Sequence, residues 1–222
     1  MPTVIDTELR EFHDWIFRFR PATAAPSRLL VLLHGWTGDE NSMWVFARNL
    51  RAQVAVLAPR GLYVAPDGGY TWCEIRPGNR GLPTMDEFRL PAELLIGFVD
   101  DWSHEAGVSA NQIDLIGFSQ GAALSYTLAL LYPERIRTLA ALSGFMPDGA
   151  EDLLARRILA GKPVFVAHGR QDNMIPVEQA RRSVTLLEGS GARVTYCESD
   201  GGHKVSADCY SRLADIFGYK YH

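Results

Sequence analysis

The sequence predicts an α/β fold with a mostly parallel central sheet and helices on both of its faces. Short, continuously apolar segments such as residues 29–33 and 54–58 are typical of strands that are buried on both sides. They alternate with longer segments of helical periodicity, which is the pattern of parallel βαβ units. The 222 residues are 47% hydrophobic and 22% charged, an ordinary globular composition. Because no repeat, linker or low-complexity segment interrupts the pattern, we expect residues 1–222 to form one domain.

The N-terminal half contains three predicted strands. Residues 11–20 alternate between apolar and polar side chains and predict a half-buried antiparallel edge strand. Residues 29–33 form a buried strand that ends in His34 and Gly35, and residues 39–42 offer N-caps for a helix through residue 50. A further short strand at 54–58 is closed by Pro59. Residues 60–83 are rich in glycine, proline and aromatic side chains, and loops of this length are usually functional or mobile.

The C-terminal half alternates regularly between helices and strands. Residues 85–106 predict a long amphipathic helix that contains Pro91 and ends at Gly107. The remaining predicted strands are residues 113–116, 138–142, 163–167 and 194–197. The remaining predicted helices are residues 120–132, 150–159, 176–187 and 206–217. This order places the carboxyl end of each strand at one edge of the sheet, where open α/β sheets carry their ligands.

The strand at 113–116 leads into Gly117-Phe118-Ser119-Gln120-Gly121, which has the G-x-S-x-G spacing of a nucleophile elbow between a strand and a helix. A serine on so tight a turn is forced toward strained backbone dihedrals, and its neighbours two positions away must lack bulk. Gly117 and Gly121 supply that clearance. The alternative is a serine in an ordinary glycine-rich turn, and other parts of the sequence must decide between the two.

A serine hydroxyl is a weak nucleophile unless a base removes its proton, and a histidine oriented by a carboxylate can do so. His203 follows two glycines directly after the last strand and is the best candidate base. Asp172 follows an earlier strand and is the best orienting acid, with Asp148 and Asp200 as the alternatives. The order serine, aspartate, histidine is the one that this kind of elbow uses. His34 and His168 each precede a glycine at a strand end, which favours a structural role in hydrogen bonding.

Two backbone N–H groups are expected to stabilise the oxyanion, one from the residue after the nucleophile and one from the loop after an early strand. These belong to Gln120 and Trp36. Four further side chains are candidate walls of a substrate pocket: Trp72, Phe145, Met146 and Met174. For these four, ordinary packing is an equally good interpretation.

With these residues assembled, the chain resembles an α/β-hydrolase, and more narrowly the phospholipase/carboxylesterase family that includes bacterial carboxylesterases and acyl-protein thioesterases. The matching segments are residues 32–35, 117–121, 141–144, 168–169 with Asp172 and Pro176, and 202–203. The resemblance spans residues 29–217 and implies Ser119 as nucleophile, Asp172 and His203 as its partners, and the N–H groups of Trp36 and Gln120 as the oxyanion hole. Two departures concern the substrate: Trp36 replaces a smaller aliphatic residue, and the segment after residues 71–75 is shorter and more basic.

The residues therefore predict a serine hydrolase that cleaves carboxylic esters of small or medium acyl chains through an acyl-enzyme. A thioesterase or lysophospholipase and, less favoured, a ligand-binding protein without turnover are the alternatives. This chemistry requires neither a cofactor nor a metal. A net charge of −4 gives no electrostatic case for nucleic acid, and no apolar run reaches the length of a membrane span. The small-molecule ester is the expected partner, and a homodimer is left open.

The three cysteines, Cys73, Cys197 and Cys209, are too few and too scattered for a disulfide scaffold or a zinc site. They favour a reduced, cytoplasmic setting, and the N-terminus shows no signal peptide. A bond between Cys197 and Cys209 is left open, because the sequence does not give their separation in space.

Overall fold

The structure is a computed structural model and describes residues 7–24, 28–47, 53–74 and 82–217. Its ten strands are β1 (Glu8–Phe12), β2 (Trp15–Arg20), β3 (Arg28–Leu33), β4 (Val54–Pro59), β5 (Tyr63–Val64), β6 (Tyr70–Thr71), β7 (Ile113–Phe118), β8 (Ile136–Leu142), β9 (Pro163–Gly169) and β10 (Arg193–Ser199). Its five α-helices are α1 (Met85–Ala106), α2 (Gln120–Leu131), α3 (Glu151–Ala155), α4 (Val177–Gly189) and α5 (Ala207–Ile216).

Eight of the strands form one sheet in the order β1-β2-β4-β3-β7-β8-β9-β10. The six strands from β4 to β10 in this order pair in parallel, whereas β1 and β2 pair antiparallel at one edge. From β3 the chain continues to β4 on one side, while β7 lies on the other. The strand order therefore reverses between β3 and β7, and ligand sites of open α/β sheets lie at such a reversal. The predicted fold class is confirmed.

Two hydrophobic layers cover the faces of this sheet. Along β3, Leu29, Val31 and Leu33 face the layer that contains α1 and α2, whereas Leu30 and Leu32 face the layer that contains α5. Because both faces are covered, the central strands have no polar side and read as continuous apolar runs. Helix α2 is buried from Gly121 to Leu130, since it packs against both the sheet and α1.

Three predicted elements differ from the structure. The strand expected at 11–20 is a hairpin of β1 and β2, and His13 turns it with a φ of 50°. The helix expected at 150–159 is shortened to α3, because Arg157 adopts a φ of 56° and cannot continue it. Of the helix expected to reach residue 50, the structure shows a 3-10 turn at Trp44–Ala47, and residues 48–50 lie outside the described part.

The long segment at 60–83 is not uniformly irregular. Strands β5 and β6 form a small antiparallel hairpin within it, and Gly38 bridges to Tyr70 of this hairpin. Residues 75–81 of the segment, including the end of the stretch 71–75, lie outside the described part. The hairpin brings residues after β4 back toward the loop after β3.

Cys197 of β10 and Cys209 of α5 form a disulfide with a Cα–Cα distance of 5.6 Å, and Cys73 is a buried free thiol. The bond closes the segment between β10 and α5, which carries His203. Disulfides are rare in reducing compartments. The bond is therefore an observation against the cytoplasmic setting expected from the cysteine count, and that setting stays a prediction.

Candidate active site

Ser119 lies on the turn between β7 and α2, at the point where the strand order reverses. Its backbone has φ 54° and ψ −117°, a strained conformation for a residue with a side chain. A Cβ at Gly117 would approach the carbonyl oxygen of Gly121 to 2.2 Å, and a Cβ at Gly121 would approach the carbonyl oxygen of Leu33 to 2.1 Å. The predicted strain of the elbow and its need for two glycines are confirmed.

Asp172 and His203 meet although 31 residues separate them, and Nδ1 of His203 lies 2.7 Å from Oδ2 of Asp172. Because a carboxylate only accepts, Nδ1 carries the hydrogen and donates it. The Nε2 atom of a neutral imidazole is then left with a free lone pair, which is the form that can accept a proton.

Backbone contacts between the two loops explain this meeting. The N–H groups of Arg170 and Gln171 donate to the carbonyls of Ser199 and Gly201, each at 2.8 Å. A Cβ at Gly169 would approach the carbonyl oxygens of Gly201 and Gly202 to 2.2 and 2.3 Å. The absence of a side chain at residue 169 thus allows the histidine loop to pack directly on the loop that carries the aspartate.

The carboxylate of Asp172 is held as an anion. Burial alone would raise its pKa, but backbone hydrogen bonds from Ile175 and Met174 and the bond from His203 outweigh burial and lower the pKa. Each backbone N–H lies 2.9 Å from Oδ1. His168 is buried, with Nε2 2.9 Å from the carbonyl oxygen of Ile175 and 3.4 Å from Oδ2 of Asp172. His168 thus supports the aspartate loop.

The alternative acids do not contact His203 in the structure. Asp200 pairs with Arg170 at 2.6 Å, and its side chain is 77% exposed. Asp148 pairs with Arg182 at 3.0 Å and is 80% exposed. Both carboxylates therefore belong to surface ion pairs.

The imidazole of His203 lies above the elbow, with its ring centre 5.0 Å from that of Phe118, the residue before Ser119. Ser119 is 8% exposed. Among the described residues its Oγ atom takes part in no hydrogen bond, so the contact from serine to histidine is not closed in this structure. Catalytic hydrogen bonds often become short only when substrate binds.

His34 fixes the loop that carries the first predicted oxyanion donor. Its Nε2 accepts the N–H of Gly61 at 2.8 Å, so Nδ1 carries the hydrogen and donates to the carbonyl of Gly35 at 2.7 Å. Burial lowers the pKa of His34 and keeps the ring neutral. With that carbonyl held, the N–H on the other side of the planar Gly35–Trp36 peptide has a defined direction.

The second predicted donor is the N–H of Gln120, which begins α2. Among the described residues neither this N–H nor that of Trp36 donates a backbone hydrogen bond, so both are free for a ligand. The side chain of Gln120 points elsewhere: its Oε1 accepts from Oγ1 of Thr71 at 3.0 Å and from the N–H of Trp72 at 2.9 Å.

The four side chains that the sequence offers as pocket walls do not lie together on one surface of the site. Trp72 is fully buried, its ring centre lies 4.9 Å from that of His34, and its Nε1–H donates to the carbonyl oxygen of His34. Phe145 and Met146 lie in the main core at 3% and 1% exposure. Met174 is 65% exposed, beside the carboxylate of Asp172. A substrate contact for these four stays a prediction, and the burial of the first three does not support it.

A cleft of about 810 Å³ reaches the elbow from another side. Trp36, which the sequence marks as a departure that concerns the substrate, lines this cleft, whereas the sequence did not indicate most of its other walls. Phe118 and Lys204 belong to it and are neighbours in sequence of Ser119 and His203, so adjacency alone could have suggested them. Val45 and Tyr210 also line it, but no sequence signal connects them to the site.

Within the described residues, no cluster of three or more histidine, cysteine or acidic side chains is arranged to hold a metal ion. In the same part of the chain, no helix has both the length and the apolar character that crossing a bilayer requires.

Comparison with known proteins gives a consistent family. The model of the phospholipase/carboxylesterase family matches residues 18–216. Acyl-protein thioesterase 1 of Debaryomyces hansenii is 26% identical over 218 residues, covering 89% of this chain and 92% of that protein. Acyl-protein thioesterase 1 of Kluyveromyces lactis is 29% identical over 180 residues, covering 74% and 78%.

Among solved structures, a carboxylesterase from Mesorhizobium loti has a TM-score of 0.79 at 24% identity and covers 96% of this chain and 99% of its own. At this identity the likeness establishes the fold, which is that of α/β-hydrolase carboxylesterases.

Proposed function

The chain belongs to the phospholipase/carboxylesterase family, and on this basis we propose that it cleaves carboxylic esters with Ser119, His203 and Asp172 as its triad. The family and the relatives described above support the assignment of the chain as a hydrolase that acts on esters or thioesters. The observation that carries the proposal is the 2.7 Å bond from His203 to Asp172 beside the strained elbow of Ser119. Strained backbone persists where the surrounding structure holds it and clusters at active sites.

In the proposed reaction, Ser119 Oγ attacks the acyl carbonyl while Nε2 of His203 takes its proton. Asp172 stabilises the imidazolium that forms. His203 then gives the proton to the leaving oxygen, and the acyl group stays on Ser119. Water, deprotonated by the same imidazole, releases the acid and restores the serine.

The oxyanion of the tetrahedral intermediate is proposed to accept hydrogen bonds from the backbone N–H groups of Trp36 and Gln120. Loss of one such donor typically costs about 2.7–4 kcal/mol of transition-state stabilisation. The N-terminus of α2 adds a partial positive charge at the same place. Because the donors are main-chain groups, a side-chain change at Trp36 is expected to alter specificity more than chemistry.

A thioesterase is the second candidate function, since the two curated relatives described above are named acyl-protein thioesterases. The same triad would attack a thioester carbonyl and release a thiol. Hydrolysis of matched oxygen and sulfur esters of several acyl lengths, including lysophospholipids, separates the carboxylesterase from this candidate and from a lysophospholipase.

A hydrolase-fold protein that binds a ligand without turnover is the candidate from another class. All three triad residues are present in the chain, which favours the enzyme. A fluorophosphonate probe is expected to form a covalent adduct on Ser119 of the folded protein. If folded protein stays unlabelled, the binding protein becomes the better interpretation.

The variant Ser119→Ala tests the proposal directly. We expect kcat to fall on the order of 10⁶-fold, as for nucleophile removal in other serine hydrolases, because the attacking hydroxyl is lost. The melting temperature should stay close to that of the wild type, since alanine keeps the Cβ and the elbow backbone and removes only a hydroxyl that has no hydrogen-bond partner among the described residues. Ser211→Ala on the exposed face of α5 is the matched control and should retain full activity. Substantial turnover by Ser119→Ala would show that another residue is the nucleophile.

A further inference from the structure

The cleft of about 810 Å³ beside Ser119 has the size of a small-molecule site. One wall comes from the segment after β3, and the other comes from residues 204–207 and the start of α5. Its apolar and aromatic lining includes Trp36, Met43, Val45, Phe46, Val205 and Tyr210. The two walls are tied together, because the hydroxyl of Tyr210 donates to the carbonyl of Val45 at 3.0 Å. The cleft is thus a built feature that joins two distant segments of the chain.

The position of the cleft relative to the reacting atoms decides which half of an ester it can hold. A tetrahedral carbon on Ser119 directs its oxyanion to the free N–H groups of Trp36 and Gln120 and its leaving atom to the general acid, His203. The acyl chain points away from both. Lys204 and Val205 of the cleft directly follow His203, and Phe118 of the cleft lies 5.0 Å from the imidazole. The cleft therefore lies on the leaving-group side.

The lining also has a chemical preference. Trp36 and Val45 are 41% and 39% exposed, among the few large apolar side chains that are open to solvent in the described part of the chain. Apolar surface exposed in a concave site is typical of ligand contact. Lys204 adds a cation to the lining, and it forms no ion pair with any residue that the structure describes. An unpaired cation beside apolar walls favours a ligand that combines apolar surface with an acidic group.

We propose that this cleft binds the leaving alcohol or thiol of the substrate, and that it selects an aromatic or branched apolar group with an acidic substituent near Lys204. The inference rests on the proposed ester hydrolysis and adds to it a substrate class and a specificity site. Val45 and Ala207, one on each wall, are the specificity-determining positions that a larger side chain would fill.

The first test compares two acetate esters that share their acyl group, methyl acetate and 2-naphthyl acetate. Val45→Trp and Ala207→Trp are each expected to lower the naphthyl-to-methyl ratio of kcat/KM about 10-fold or more, the scale on which pocket volume changes discriminate substrates. Leu9→Trp, on the exposed edge strand β1, is the control and should leave both rates at the wild-type value. Val45 and Ala207 are both exposed, so neither tryptophan substitution crowds the core.

A series of methyl esters with increasing acyl length examines the opposite assignment. If the cleft holds the acyl chain, the two tryptophan variants will shift the preferred acyl length and leave the naphthyl-to-methyl ratio unchanged. That result would overturn the proposal, as would an unchanged ratio in both variants. In the wild type, esters that share an acyl group but differ in alcohol should show the same deacylation rate after the burst, because the leaving group has already departed.

The role of Lys204 is tested with 4-nitrophenyl acetate and its 3-carboxy derivative. Lys204→Met is expected to lower the charged-to-neutral ratio of kcat/KM about two- to five-fold, the range of an exposed ion pair, and Lys204→Arg should restore it. Added salt should lower the wild-type ratio in the same direction. The ratio cancels any effect of residue 204 on His203 itself. An unchanged ratio in Lys204→Met would remove the acidic substituent from the proposal.

Failure of this inference differs from failure of the proposed function. If the protein is not an ester hydrolase, no ester of either series is turned over and the fluorophosphonate does not label Ser119. If only the cleft assignment is wrong, turnover and labelling persist. The tryptophan variants then change the preferred acyl length or leave both ester series unchanged.

Discussion

Asp172 accepts hydrogen bonds on both carboxylate oxygens, from two backbone N–H groups and from the imidazole of His203. The backbone donors hold the carboxylate rigidly, so the histidine is oriented by an anion that cannot rotate away. Aspartates in the structure's surface ion pairs, such as Asp200, have no comparable constraint. The hydrogen-bond surroundings therefore distinguish Asp172 from Asp200 as the partner of His203 more clearly than their distances from His203 along the chain.

Asp172→Asn should lower kcat about 10⁴-fold, because an amide at this position can turn its NH₂ toward the imidazole and stabilise the wrong tautomer. Asp200→Asn is the control, since it makes the same chemical change at an aspartate that is nearer to His203 in sequence. Its activity should stay within about two-fold of the wild-type activity, because exposed ion pairs contribute little. Steady-state kinetics on one ester measure both. A large loss in Asp200→Asn with little loss in Asp172→Asn would reverse the assignment.

Single residues differ in how far the sequence determines their positions. The meeting of Asp172 and His203 could be predicted, because strand ends gather at one edge of the sheet whatever the details of packing. Most of the pocket walls could not be predicted, since the side chain of a loop residue can point inward or outward without any signal in the pattern. Trp72 is an example: an aromatic residue in the long segment at 60–83, it is fully buried against His34.

Among the elements, the elbow was the most predictable, because its requirements are local and steric. Backbone atoms leave no room for a Cβ at Gly117 or Gly121, so the G-x-S-x-G motif predicts the elbow and the elbow requires both glycines. The hairpin of β1 and β2 lacked such a signal, since its turn uses His13 at a positive φ rather than a glycine. Helix α3 likewise ends at Ala155, two residues before Arg157, whose positive φ of 56° has no glycine to signal it.

Alanine at Gly121 and at Gly97 should change stability in opposite directions. A Cβ at Gly121 would lie 2.1 Å from the carbonyl oxygen of Leu33, so Gly121→Ala must shift the backbone and should cost about 1–3 kcal/mol of unfolding free energy. Gly97 lies within α1 with nothing within 4 Å of its Cβ position, and Gly97→Ala should add about 0.5–1 kcal/mol. Urea unfolding of both variants measures this, and equal signs would contradict the steric account of the elbow.

For the whole molecule, the sequence was sufficient for the fold class but not for the strand order. Covered faces make the central strands mostly apolar, and alternation with helices makes them parallel. The reversal between β3 and β7, which creates the site, depends on which way the chain crosses the sheet. The hydrophobic pattern is the same for either direction, so the order could not be derived from it.

Charged groups also hold distant parts of the molecule together. Glu198 of β10 accepts hydrogen bonds from Arg181 of α4 at 2.8 Å, from Tyr196 at 2.7 Å, and from Arg170 after β9 at 2.7 Å. The bonds from Arg181 lower its pKa most, followed by that from Tyr196, and against a smaller effect of burial they bring the pKa to about 2. The cluster joins helix α4, strand β10 and the loop that leads to Asp172.

This cluster predicts how the stability of the chain depends on acid. Because the pKa of Glu198 is lower in the folded than in the unfolded chain, the unfolded chain binds more protons between about pH 4.5 and 2. The contribution of Glu198 is therefore complete above that range and is lost as pH falls through it. The unfolding free energy of Glu198→Gln, measured by urea at several pH values, should fall less steeply there than that of the wild type. Glu188→Gln on the exposed side of α4 is the control and should follow the wild-type slope, and a Glu198→Gln curve parallel to the wild type's would show that the cluster contributes nothing to acid sensitivity.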